Sequence, residues 1–228
     1  MSTPTHDDYP LVLDPTAFPP APWRLRGTLH LSLWRVPLAS LPDVTPPGVG
    51  IVSVAGQALA VTAWAAYEPG GALSYNELLF VTSVRKTGLA GPAGTVGPIW
   101  VDDEAAAQGG RALWGIPKRL GSFGAPPAAS PALSGMVPTA TRLHQDGRLV
   151  ASLEFEPRQR FAVPLHSTIW TVQQGATGLL RTRCRLRGRL RFGAAQWEFA
   201  PDGALGFLHG RTPLASARME MLSAEFGI

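Results

Sequence analysis

Residues 25–36 read LRGTLHLSLWRV. Leu25, Gly27, Leu29, Leu31 and Leu33 alternate with Arg26, Thr28, His30, Ser32 and Trp34, and a period of two marks a strand with one buried face. The spacing predicts a strand from Leu25 to Val36. Strand-like runs follow at 51–55 and 59–66, and then from Tyr75 to Val84. That last run puts Tyr75, Glu77, Leu79 and Val81 on one face and Asn76, Leu78 and Phe80 on the other. Glu77 therefore shares a face with apolar neighbours. Asp146-Gly147, between Thr139–Gln145 and Arg148–Phe155, is a strong two-residue hairpin signal. Further strands are expected at 167–173, 179–191 and 197–200.

Composition points the same way. The 228 residues are 45% apolar and 16% charged, which excludes a disordered chain, and the 25 Gly and 22 Pro disfavour a helical bundle. A single domain over 1–228 is expected, with 1–22 as an extended arm. Gly88–Gly97 spaces its glycines like a phosphate-cradling loop. It lacks a following Lys-Ser/Thr, and Pro92 removes an amide, so a plain surface loop is the reading. Residues 121–138 read as a low-complexity loop. Two helices are expected. One is capped by Asp102 and Asp103 and runs to about Leu113, ended by Gly115 and Pro117. The other is a terminal helix starting at Thr212 and Pro213, with Leu214, Ala217, Met221 and Ala224 on one stripe.

Several function classes fall away. The one cysteine, Cys184, forms no intrachain disulfide. The N-terminal decapeptide has neither the basic nor the apolar region of a signal peptide. Val44–Ala66 carries no charge, but Pro46, Pro47 and several glycines break it, so it is no membrane helix. A cytoplasmic location without a membrane partner is expected. His6, His30, His144, His166 and His209 lack ligand spacing, and no dinucleotide fingerprint or nucleophile elbow is present, so neither a metal nor a cofactor is expected.

Arg181, Arg183, Arg185, Arg187, Arg189 and Arg191 occupy alternate positions and line one face of a strand. A nucleic-acid platform is one reading, but no aromatic side chain accompanies the row to stack bases. The favoured reading is a solvent face or subunit contact, with Glu154 and Glu156 on the hairpin as balancing carboxylates.

Only two of the twenty Lys and Arg residues are lysines, Lys86 and Lys118. An amine can lose its proton and attack a carbonyl, whereas a guanidinium cannot. Lys118 follows Pro117 where a helix ends, and Trp114, Ile116 and Leu120 surround it in sequence. Desolvation and the adjacent Arg119 cation both disfavour the ammonium form, which leaves a Schiff-base nucleophile. Codon bias is the bland alternative.

These residues resemble the acetoacetate decarboxylase family, whose signature G-R-E-L-x-x-x-P-K-K-L-G is met by Gly110-Arg111-Ala112-Leu113 and Pro117-Lys118-Arg119-Leu120-Gly121. Asp102 and Glu104 fall in register upstream. Tyr75-Asn76-Glu77 is similar to the family's Y-x-E, and Ala17-Phe18-Pro19 through Pro22-Trp23 is a third anchor. The resemblance implies an α+β, mostly antiparallel β fold around a cone-shaped barrel with a few short helices, assembled into homo-oligomers. It places Lys118 on the Schiff-base lysine and Glu77 on an active-site carboxylate, with Arg119, Arg111, Trp114 and Tyr75 around them. Departures stand beside the matches. Arg119 replaces a second lysine and Ala112 a glutamate. Thr28 and Thr62 fall where the family has an active-site arginine and a second glutamate, and Arg26 is the candidate substitute for the arginine.

The expected function is decarboxylation of a small β-keto acid through a Lys118 iminium, with Glu77 moving protons. Glu77 also reads as a buried carboxylate paired with an arginine. Aldol or dehydratase chemistry on the same iminium is the first alternative, and a non-catalytic ligand-binding protein the second. The expected partner is a small keto acid or ketone, not nucleic acid.

Overall fold

The computed structural model describes residues 16–85, 88–89, 91–124 and 139–228. Lys86, most of the expected N-terminal arm and residues 125–138 of the expected loop lie outside the described residues.

The strand expected at 25–36 is β1, Trp23–Pro37. Gln57–Tyr67 forms β4 and Asn76–Arg85 β5, with the short β2 (Gly50–Ile51) and β3 (Ser53–Val54) before them. Ala93–Val101 is β6, so the loop expected to reach Gly97 ends at Ala93. Helix α1 spans Glu104–Trp114, followed by the two-residue strands β7 (Arg119–Leu120) and β8 (Ser122–Phe123). The hairpin is β9 (Thr139–Gln145) and β10 (Arg148–Pro157), turned by Asp146 and Gly147 at φ 51° and 75°. Two positive φ values make this the turn whose twist matches a hairpin. Val163–Gly175 is β11, Gly178–Phe199 β12 and Ala215–Phe226 β13.

Seven strands close into an irregular ring in the order β11-β6-β5-β4-β1-β13-β12, with β12 returning to β11. The ring is antiparallel except at its seam, where β11 and β6 run parallel over two register pairs, Trp170 with Ala93 and Thr171 with Gly94. Side chains extend the seam. The Gln173 amide accepts from Val96 N at 2.8 Å and donates to Val96 O at 3.0 Å, while Thr95 Oγ1 donates to Val172 O at 3.0 Å. A side-chain amide thus satisfies backbone groups that would otherwise be buried unpaired.

Two cores result, and β1 serves both. Leu25 and Leu29 enter the core inside the ring, with Ala63, Ala65, Tyr67, Tyr75 and Trp114. Trp34 and Val36, on the opposite parity, enter a second core where β9, β10 and the far half of β12 pack on the ring's outside through Leu143, Leu153, Phe155 and Phe199. β5 and the residue before it divide the same way: Tyr75, Leu79 and Val81 belong with the inner core, Leu78 and Phe80 with the outer one.

The C-terminal segment is a strand, not the expected helix. Ala217, Met219, Leu222 and Ala224 are buried while Met221 is exposed with φ 52°, so a bulge changes which parity faces inward. The stripe expected from Leu214, Ala217, Met221 and Ala224 therefore mixes two faces, with Ala217 and Ala224 buried and Leu214 and Met221 exposed. β13 lies between β1 and β12, where it supplies backbone partners to both.

The arginine row is on β12, with Cys184 and Thr182 buried on the other face. Its carboxylates are not Glu154 and Glu156. Glu225 meets Arg185 at 2.8 Å and Glu220 meets Arg191 at 2.7 Å, both from β13. The hairpin pairs with β12 only beyond the row, Glu156 opposite Ala194 and Glu154 opposite Gln196. Even and odd positions of β12 point to opposite faces, so the two sets of charges cannot meet within one chain.

Candidate active site

Helix α1 and its exit build the position of Lys118. Asp103 caps the helix, its Oδ1 accepting from Ala106 N at 2.7 Å. Gly115 ends it at φ 64°, its N–H donating to Arg111 O at 3.1 Å, and Ile116 N reaches Gly110 O at 3.0 Å. A glycine suits this left-handed stop because it has no Cβ to clash. Arg111 then reaches forward from the last turn, and its Nε donates to Lys118 O at 2.8 Å, with Nη2 on the same oxygen. The helix holds the backbone of the residue it delivers.

Two helix glycines, costly for helix propensity, are explained by what lies on them. A Cβ at Gly109 would come 2.4 Å from the Trp23 ring, and one at Gly110 would come 2.6 Å from Lys118 Cδ. The lysine stem lies flat along the helix.

The Lys118 side chain is 4% exposed. Its Nζ is 2.7 Å from Glu77 Oε2, an ion pair that is not aligned as a hydrogen bond, and donates to Tyr75 Oη at 3.2 Å. The Tyr75 and Trp23 ring centroids lie 4.9 and 5.9 Å away, within cation–π range. The charged group meeting the amine is therefore a carboxylate. Arg119, the cation expected to act on it, is half-buried on β7 opposite Trp100.

Tyr67, which the sequence reading did not single out, completes the cluster. Its hydroxyl donates to Glu77 Oε1 over a long 3.5 Å, and its ring centroid is 4.8 Å from that of Tyr75. Its position closing β4 opposite the Tyr75 anchor was the available signal. Burial first, and the Glu77 charge second, push both tyrosines well above the usual phenol range, so both remain protonated donors. Asp102 fixes the start of β5 by accepting from Asn76 N and Nδ2, each at 2.7 Å. The side chains flanking Asn76, Tyr75 and Glu77, point to the lysine.

Other expected residues fall elsewhere. Trp114 is buried beside Trp23, centroids 4.7 Å apart, and walls the cluster. Arg26 is exposed on the outer face of β1, its Nε donating to Pro69 O at 2.7 Å. Thr62 is fully buried, but its Oγ1 accepts from Trp34 Nε1 at 2.9 Å on the outer-core side. Among the described residues, no group of three His, Cys, Asp or Glu could hold a metal ion. No helix of the described residues is long and apolar enough to cross a membrane.

The three anchors, some fifty residues apart and then forty, meet at one ammonium: Trp23, then Tyr75 and Glu77, then Lys118. The family model for acetoacetate decarboxylase matches residues 8–168, which takes in all three. The chain belongs to the acetoacetate decarboxylase family. Solved structures share the family fold at low identity. The enduracididine biosynthesis enzyme MppR complexed with pyruvate is similar at TM-score 0.67 and 19% identity, over 96% of this chain and 93% of that one. MppR complexed with the condensation product of pyruvate and imidazole 4-carboxaldehyde gives 0.61 and 20%, over 99% and 94%. Acetoacetate decarboxylase from Legionella pneumophila gives 0.65 and 15%, over 97% and 90%. No curated protein matches the sequence.

Proposed function

We propose that this family member is a metal-independent carbon–carbon lyase that works through a Schiff base on Lys118. The observation that carries the reading is the buried 2.7 Å approach of Lys118 Nζ to Glu77. Passage of the ammonium proton to that carboxylate leaves an amine lone pair. The amine adds to the ketone of a small β-keto acid, and the carbinolamine loses water to give an iminium. The carbon–carbon bond to the carboxylate then breaks, its electron pair moving into the iminium, with carbon dioxide as leaving group. The resulting enamine takes a proton at carbon, and water releases the ketone. Glu77 is the group in reach for these proton transfers, and the neutral tyrosines support the oxygens of the intermediates.

A second reading keeps the iminium and changes the bond made or broken. Arg26 lies outside the cluster and Thr62 faces the outer core, so neither supplies the charged groups the family uses on its substrate. An enamine that adds to an aldehyde, or a hydroxy ketone that loses water, needs no carboxylate partner. The MppR complex holding a condensation product lends this reading support by analogy of fold.

The test is product analysis with acetoacetate, and separately with pyruvate plus an aldehyde. Lys118-dependent carbon dioxide release supports decarboxylation, whereas a condensation product without gas supports the second reading. Neither product, with no exchange of ketone α-protons into deuterated water, would make the chain a binding protein.

A further inference from the structure

The sequence favours a plain solvent face or subunit contact for the arginine row on two grounds: balancing carboxylates on the hairpin, and no aromatic side chain beside it. Neither holds in the fold. Glu154 and Glu156 lie opposite Gln196 and Ala194, beyond the row. The aromatic comes from the neighbouring strand, where Trp170 of β11 is paired with Arg183 of β12. Directly paired residues share a face of the sheet, so the half-buried indole stands beside the exposed Arg183 side chain.

β13 and β1 widen the same face. Arg185 pairs with Glu225, which pairs with Arg24, and Arg187 pairs with Ser223, which pairs with Arg26. This stretch of the face therefore carries Arg24, Arg26, Arg181, Arg183, Arg185 and Arg187 against one side-chain carboxylate, Glu225. Glu225 is held by Arg24 at 3.1 Å and by Arg185 at 2.8 Å. Arg181, Arg183 and Arg187 are exposed and enter no ion pair among the described residues. Between Arg185 and Arg187 lies a hollow of about 90 Å³, lined also by Ser223 and Glu225, with room for more than one water.

Alternate positions on a strand repeat about every 6.6–6.8 Å, so the guanidinium groups form a straight row of forks suited to phosphate oxygens. Cations that follow a backbone, next to an aromatic ring on which a base stacks, hold single-stranded nucleic acid without reading its sequence. A duplex fits less well, because its major groove admits a helix or a two-stranded ribbon and not a face four strands wide. An acidic peptide would use the arginines and leave the indole idle.

We propose that the outer face of β12, with Trp170 of β11, binds single-stranded nucleic acid, its phosphates running along Arg181, Arg183 and Arg187 and a base stacked on Trp170. The Lys118 cluster is inside the ring, so this surface stands whether or not the imine chemistry does.

Fluorescence anisotropy of a labelled oligouridylate of about 16 nucleotides, titrated with the full chain across a salt series, tests it. Binding that weakens steeply with salt is expected. Arg183→Gln with Arg187→Gln removes two phosphate contacts at exposed positions, and should lower the slope of log affinity against log salt by about 1.4, at about 0.7 per contact. Trp170→Leu should weaken binding at least roughly fivefold with the slope unchanged. Arg148→Gln, exposed at the start of β10 and off this face, should change neither. Circular dichroism checks the fold of each variant, and if Trp170→Leu does not fold the arginine pair alone decides. No binding at low salt overturns the proposal. So does a slope unmoved by the arginine pair, or an equal loss from Arg148→Gln. Tighter binding of a duplex of the same length overturns the single-strand assignment. A folded Trp170→Leu that binds as wild type, with polyglutamate displacing the oligonucleotide at equal charge, overturns it in favour of an acidic peptide.

Discussion

Gly110 and the stem of Lys118 compete for the same space: a methyl on residue 110 would sit 2.6 Å from Lys118 Cδ and 2.8 Å from Cε. Alanine is the better helix former by about 1 kcal/mol, so propensity alone favours Gly110→Ala. Overpacking costs typically about 1–3 kcal/mol and is relieved most easily by moving the lysine. The variant should fold with Tm lowered by a few degrees at most, and trap a ketone at least roughly tenfold more slowly than wild type. Unchanged trapping would show that the stem's seat on the helix does not position the amine.

The Lys118–Glu77 pair should behave as one unit in stability. Removing one partner of a buried pair strands the other charge at a cost of about 3–5 kcal/mol, while removing both is far cheaper. Urea unfolding of Lys118→Met, Glu77→Gln and the double variant should therefore be strongly non-additive, the double variant more stable than the two losses summed. Additive losses would mean that the charges do not depend on each other.

Acid should destabilise the fold through His30. Burial first, and the Arg218 charge second, lower this imidazole from 6.5 to about 3. The folded state then stays neutral at a pH where the unfolded chain takes up a proton. The contribution is fully present above pH 6.5 and is lost as pH falls from there toward about 3. An imidazole NMR titration should show His30, whose Nε2 lies 2.9 Å from Thr139 Oγ1, unchanged from pH 8 to about pH 5. An inflection near 6.5 would contradict the burial.

Much of this was legible in the chain, for local reasons. The alternation at 25–36, the Asp146-Gly147 turn and the Asp103 cap each specify their element through nearby backbone chemistry, and each formed where expected. That strands dominate could be read from such signals and from composition, whereas the α+β, mostly antiparallel architecture was implied by the family resemblance and is the one that formed. β13 was misread because its bulge at Met221 is dictated by neighbouring strands, not by its own residues. The partners of the arginine row were misassigned because register between distant strands is not written in spacing. Within the site, sequence motifs pointed to Tyr75, Glu77 and Lys118, and the alternation at 25–36 already set Arg26 opposite the buried leucines; Tyr67 was signalled only by its place at the end of β4, which becomes informative once the pairing of that strand with the Tyr75 segment is known.

Arg111 and Arg26 should separate cleanly in kinetics. Arg111→Met removes the clamp on the Lys118 carbonyl, so imine formation should slow roughly tenfold or more with little change in KM. Arg26→Ala removes an exposed contact to Pro69 O and should leave both parameters within about twofold. A large KM increase on Arg26→Ala would place that guanidinium on the substrate after all.

The most direct measurement is borohydride reduction in the presence of acetoacetate, followed by peptide mass mapping. With only Lys86 and Lys118 as lysines, the assignment is unambiguous. The account predicts a ketone-dependent adduct on the peptide containing Lys118, absent from Lys118→Arg. No adduct, or one on Lys86 alone, would contradict it.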